Sequence, residues 1–166
     1  MIQVQDVTFY YGDENKKVFN RFCLQLEKNK VYGLLGENGT GKSTLLYLLM
    51  GLLRPSEGRI LVDGYDVSRR LRKALQQMYI VPEEFTLPQM RFADYVATYR
   101  PFYPAFSDEI LRRCMDEFHL PLDVRIDQLS MGDKKKALMS FALATNVPYL
   151  LMDEPTNGLD VLSKKQ

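Results

Sequence analysis

The run Gly36-Glu37-Asn38-Gly39-Thr40-Gly41-Lys42-Ser43 constrains this chain more than any other. It meets the phosphate-loop pattern G-x-x-x-x-G-K-[ST] at every fixed position, and that loop works only between a strand and a helix. Val31-Tyr32-Gly33-Leu34-Leu35 predicts a buried strand entering the loop, and Ser43-Thr44-Leu45-Leu46-Tyr47-Leu48-Leu49-Met50 predicts the helix leaving it. The glycines let backbone N–H groups approach phosphate oxygens with no Cβ in the way. The helix start adds the positive end of its dipole. Lys42 is placed to reach the β- and γ-phosphates, and Ser43, with Thr44 beside it, to offer a hydroxyl to Mg²⁺. The pattern implies binding of a nucleoside triphosphate.

A chain of 166 residues can build one domain with a real core. Its net charge of +1 gives no electrostatic footprint for a nucleic-acid partner. Cys23 and Cys114 lie far apart with no C-x-x-C spacing and read as reduced thiols of a cytosolic protein. Met1 leads straight into strand-like alternation, so no signal peptide is expected. No apolar run approaches the ~20 residues that a membrane span requires.

Ile2 to Phe9 alternates as a strand, Val18-Phe19 and Phe22 to Leu26 follow, and Gly12-Asp13-Glu14-Asn15 is a turn cluster between them. Arg59 to Val62 and Gln77 to Val81 read as further strands, the second ended by Pro82. From Glu83 to about Gln128 the pattern is helical. Within it, Ile110, Leu111, Cys114, Met115 and Phe118 share one helical face and read as core. Tyr149-Leu150-Leu151-Met152 has the look of a buried parallel strand. Lys134-Lys135-Lys136 reads as a solvated helix face, and His119 as an ordinary surface or packing residue. The expected architecture is α/β: a phosphate-loop NTPase core, an N-terminal antiparallel β-subdomain and a helical insertion at about residues 84–128. All of it falls in one nucleotide-binding domain over residues 1–166.

Asp153-Glu154 follows the last strand directly. Adjacent carboxylates are disfavoured in a core, because each charge needs a partner. Beside a bound triphosphate, Asp153 suits Mg²⁺ coordination and Glu154 suits activation of a water for in-line attack.

Asp153-Glu154-Pro155-Thr156-Asn157-Gly158-Leu159-Asp160 resembles the Walker B and D-loop segment of ATP-binding-cassette (ABC) ATPases. Leu129-Ser130-Met131-Gly132-Asp133 resembles their signature motif, usually L-S-G-G-Q. Order and spacing fit that family along the whole chain. The resemblance implies a head-to-tail homodimer in which Ser130 and Gly132 of one subunit cap the ATP held by the other's phosphate loop. It implies ATP and Mg²⁺ as ligands, Glu154 as general base with Lys42 on the phosphates, and Ser43 and Asp153 on the metal. Tyr11 sits where the family stacks an aromatic on adenine, with Tyr10 next if the register slips.

The departures carry expectations too. Glu83 stands where the family usually has a glutamine that touches Mg²⁺ and couples nucleotide state to the helical segment. Met131 and Asp133 replace a glycine and a glutamine of the signature, and Asp133 is expected to weaken dimer closure. The family continues beyond the D-loop to a further core strand that ends in a switch histidine. The sequence reaches Gln166 partway into an expected helix with no capping signal, so C-terminal strands are expected to be missing and turnover by the chain alone to be low. Tyr99-Arg100-Pro101-Phe102-Tyr103-Pro104 resembles a stretch of exporter cassettes whose permease is a separate polypeptide. Exposed aromatics between Phe85 and Phe106 are candidates for the groove that receives the permease. The reading is an efflux-type subunit on the cytoplasmic face of the cell membrane, with no nucleic-acid partner. A non-transport ABC ATPase, or a nucleotide-binding fragment with little turnover, stands as the alternative.

Overall fold

The computed structural model describes residues 1–157. The expected helix before Gln166 and the Gly158-Leu159-Asp160 part of the D-loop resemblance lie outside the described residues. The chain divides into two compact units, one over Met1–Met78 and one from Tyr79 onward.

In the first unit, β1 (Ile2–Tyr10) lies between β2 (Lys17–Leu26) and β3 (Glu57–Val62), and β4 (Tyr65–Asp66) closes the order β2-β1-β3-β4. All three pairings are antiparallel, with Val4 opposite both Leu24 and Ile60. Alternation breaks inside β1. Ile2 and Val4 are buried, then Val7 and Phe9, so the buried parity changes from even to odd. The change falls where the register with both neighbours shifts, at Asp6, whose φ is 49°. One extra residue in a bulge flips the face of every residue after it. β3 and β4 are joined by Asp63-Gly64, both at positive φ, the backbone that a two-residue hairpin turn demands.

α1 (Lys42–Leu49) buries Leu45, Leu48 and Leu49, the i, i+3, i+4 spacing of one helical face. It ends before Gly51 at φ 65°, where a Cβ would come 2.6 Å from the Val67 carbonyl oxygen. Before the loop, the expected buried strand at residues 31–35 does not form. Those residues carry no strand pairing; Val31 is fully solvated, and Leu34 and Leu35 are exposed. An apolar run becomes a strand only when a neighbour takes its backbone N–H and C=O groups, and no described strand does so here.

In the second unit, β5 (Met78–Val81), which starts at the division, pairs with β6 (Tyr149–Met152). Between them run α2's successors in the chain: after α2 (Arg72–Leu75), which belongs to the first unit, come α3 (Phe92–Tyr99), α4 (Asp108–Glu117) and α5 (Met131–Ala144). α4 starts at Ser107, whose hydroxyl accepts from the Ile110 N–H, with Asp108 and Glu109 in its first turn. Leu111 and Met115 are buried while Ile110, Cys114 and Phe118 are half-buried, as the stripe predicts. The aromatics of the helical segment behave differently from expectation. Phe92 and Tyr95 are buried, and the rings of Tyr79, Tyr95, Tyr103 and Phe106 surround Phe141 of α5 at 5.2 to 6.1 Å. Only Tyr99 and Phe102 of the group remain exposed. Burial raises the Tyr79 hydroxyl above the ordinary tyrosine range and takes Tyr103 to about 12.

Candidate functional site

The phosphate loop owes its shape to two glycines in the left-handed region, Gly39 at φ 83° and Gly41 at φ 93°. At Gly41 a Cβ would come 2.6 Å from Val18 Cγ1, and at Gly36 one would come 2.9 Å from Thr40 Oγ1. The Thr40 hydroxyl donates to the Glu37 carbonyl at 2.8 Å and closes the curl. Lys42 turns back into it: Nζ donates to the carbonyls of Gly36 at 2.8 Å and Glu37 at 3.0 Å. No side chain caps α1 and no acid lies in its first turn, so its leading N–H groups face outward beside an ammonium. That combination of donors fits a phosphate group.

Beside the loop, the Tyr11 and Thr44 hydroxyls hydrogen-bond at 3.1 Å, and the Tyr11 ring stands edge-on to Phe9 at 4.8 Å. Tyr11 is 58% exposed, so it is accessible to a ligand. Tyr10 instead donates to Glu14 Oε1 at 3.0 Å.

In the second unit, Asp153 follows β6, is 5% exposed, and donates its N–H to the Val81 carbonyl. Glu154 adopts φ 45°, and its carbonyl accepts from the Asn157 N–H at 3.1 Å. The same carbonyl accepts from Lys135 Nζ at 2.7 Å, and the Asn157 carbonyl accepts from Nζ at 2.9 Å. Asn157 Nδ2 donates to Glu83 Oε1 at 2.9 Å. Glu83, the Asp153-Glu154 pair, Asn157 and Lys135 thus form one connected group. Burial draws the Lys135 ammonium below the usual lysine range, while the charges of Glu83, Asp153 and Glu154 act in the opposite sense.

Ser130 caps α5. Its Oγ accepts from the Asp133 N–H at 3.1 Å and donates to Asp133 Oδ2 at 2.7 Å. Met131 is 63% exposed at the helix start, followed by Gly132. Among the described residues there is no cluster of three or more His, Cys, Asp or Glu suited to a metal ion. Mg²⁺ needs none, because it is usually held by one or two carboxylates with water and substrate phosphates. Asp153, a buried carboxylate at a strand end, fits such a role.

The ABC transporter family model matches residues 19–157, a span that holds the phosphate loop, the Ser130 cap and the Asp153-Glu154 turn. The chain belongs to the ABC transporter family. It is 27% identical over 91% of its length to the ABC transporter ATP-binding protein YtrB of Bacillus subtilis (strain 168). It is 33% identical over 96% of its length to the Nod factor export ATP-binding protein I of Rhizobium meliloti (strain 1021). It spans about half the length of these curated relatives, 52% of the first and 49% of the second. A solved ATP-binding subunit of an ABC transporter superposes with a TM-score of 0.86 at 25% identity, covering 99% of this chain and 70% of that one. The phosphate-loop NTPase fold with an N-terminal antiparallel sheet follows from that likeness.

As an ABC chain, it carries its predicted residues in two groups. Tyr11 and residues 36–44 gather in the first unit; Glu83, Asp153 and Glu154 gather in the second, with Ser130 and Gly132 at the head of α5. Lys135 was the residue that sequence reasoning misplaced. It is 3% exposed, so the reading of residues 134–136 as a solvated face fails at its centre. The signal was present: Lys135 stands three and seven residues before Leu138 and Ala142, on the buried stripe of α5. Among the described residues no helix is long and apolar enough to cross a membrane.

Proposed function

We propose that this chain is the ATP-binding subunit of an efflux-type ABC transporter. In this reading it pairs head-to-tail with a second copy at the cytoplasmic face of the membrane and drives a separately encoded permease. The observation that carries the ATP-binding part is the open phosphate loop, with Lys42 curled inside it and α1 uncapped behind it. The export part draws support from the Nod factor export protein to which the chain is similar. Lys42 exchanges its two carbonyl partners for phosphate oxygens, and Tyr11 stacks on the adenine. Ser43, Asp153 and Glu83 are the residues that would hold Mg²⁺. When bound, that ion would supply neutralisation of the charge that develops on the phosphates. Glu154 takes the proton of the attacking water. Ser130 and Gly132 present the head of α5 to the partner's nucleotide.

Binding of a fluorescent ATP analogue tests the reading. Lys42→Ala removes charge-assisted hydrogen bonds and is expected to weaken binding roughly 10–100-fold. Equal affinities for the two proteins would remove Lys42 from the phosphate site.

The Ser130 cap supplies a second expected result. Its hydroxyl proton is committed to Asp133, and the Asp133 carboxylate would stand beside a triphosphate in the closed pair. Asp133→Ala frees the hydroxyl and removes the repulsion. ATP-dependent self-association, followed by analytical ultracentrifugation, should tighten by about 1 kcal/mol, roughly fivefold. Weaker association in the variant would mean that Asp133 serves the helix alone.

A further inference from the structure

Lys135 is a cation sealed inside the second unit, and its partners explain why it is there. A buried ammonium is costly unless its donors are met. Here Nζ meets the carbonyls of Glu154 and Asn157, at the two ends of the turn that follows β6. The bonds go to backbone rather than to carboxylates, so they leave both acid side chains of the turn free for other work. Asn157, held by its carbonyl, uses its side-chain amide to hold Glu83. The charges of Glu83, Asp153 and Glu154 all bear on the same ammonium.

We propose that Lys135 is a positioning residue: by pinning the carbonyls of Glu154 and Asn157 it sets the Asp153-Glu154 turn and, through Asn157, the Glu83 carboxylate. This rests on the proposed ATPase reading for its consequence, though not for its geometry. One ammonium offsets the charges of three carboxylates that all act on it. It also suits the extra charge that Glu83 brings where the resemblance leads one to expect a glutamine. The lever is α5 itself. Lys135 lies five residues beyond Ser130, roughly 7.5 Å along the axis at the helical rise. A single rigid helix therefore carries the nucleotide-facing cap at its head and the clamp on the hydrolytic turn one and a half turns later.

The test compares Lys135→Met, which keeps length and removes the donors, with Lys135→Arg, which keeps charge and donors. Hydrogen exchange is read in a peptide covering residues 149–157 and in peptides from β1 to β3. In the Met variant, exchange at residues 153–157 should quicken by at least about tenfold with β1–β3 unchanged, because two charge-assisted bonds are lost. The Arg variant should fall back to within about threefold of wild type. In parallel, kcat for ATP in the Met variant should drop about tenfold or more with KM nearly constant, the mark of a group that positions catalytic carboxylates rather than binds nucleotide. Exchange that is unchanged, or that rises equally in both units, overturns the assignment. A wild-type protein with no ATP turnover in its assembled form would overturn the proposed function, while the exchange result would still decide the clamp.

Discussion

On the proposed ATPase reading, Glu154→Gln is expected to cut ATP turnover in the assembled protein by roughly 10²–10⁴-fold, the range that loss of a general base commonly costs. The substitution is clean because the backbone here is held independently of the side chain. The Glu154 carbonyl takes bonds from Lys135 and from the Asn157 N–H, and both survive the change. Its φ of 45° is no harder for glutamine than for glutamate. Glutamine keeps the shape and can orient a water, but it cannot take that water's proton. Nucleotide affinity should hold or improve, because the phosphate loop is untouched and, on the proposed reading, one negative charge beside the bound triphosphate is gone. The predicted signature is therefore an ATP-loaded protein that stays loaded, read by single-turnover hydrolysis and by retention of ATP through gel filtration. Turnover within about threefold of wild type would assign the base elsewhere.

What the sequence disclosed follows from the range of the interactions involved. The phosphate loop was legible because glycine, lysine and hydroxyl at fixed spacing are a local chemical demand. The Ser130 and Ser107 caps were within reach of the same logic, since a cap is satisfied within three residues. The segment at residues 31–35 was not, because a strand is a property of a pair. Its apolar composition states a need for a neighbour, and the described residues supply none. The aromatics between residues 85 and 106 misled for a related reason. Nothing near them in sequence announces Phe141, about forty residues on, whose ring gives them a centre to pack around. Lys135 failed by composition: a lysine between lysines reads as solvent, and only the stripe through Leu138 and Ala142 says otherwise. In β1 the apparent alternation concealed the bulge at Asp6, because polar residues at positions 5 and 6 allow either register.

That bulge makes Gly58→Ala the substitution with the largest expected effect on stability. Gly58 lies in β3 opposite the irregular part of β1, at φ 80°, and a Cβ there would come 2.4 Å from the carbonyl oxygens of both Gln5 and Asp6. Neither oxygen belongs to a side chain that could swing away. To make room, β1 must withdraw from β3, which loosens the pairing from Ile2↔Val62 to Gln5↔Arg59. The left-handed backbone adds its own penalty for alanine. Together these predict a loss of about 3–4 kcal/mol, a large share of the stability of an ordinary domain. Gly64→Ala separates the two causes. Gly64 has nearly the same φ, 82°, but no atom lies within 4 Å of its would-be Cβ. It should therefore cost only the backbone part, about 1–2 kcal/mol. Urea unfolding of both variants against wild type, with m-values checked for constancy, measures the difference directly. Equal losses in the two would mean that β1 gives way freely at Asp6. A Gly58 loss at least about 1 kcal/mol beyond that of Gly64 would place the clash, and hence the bulge, among the contacts that hold the sheet together.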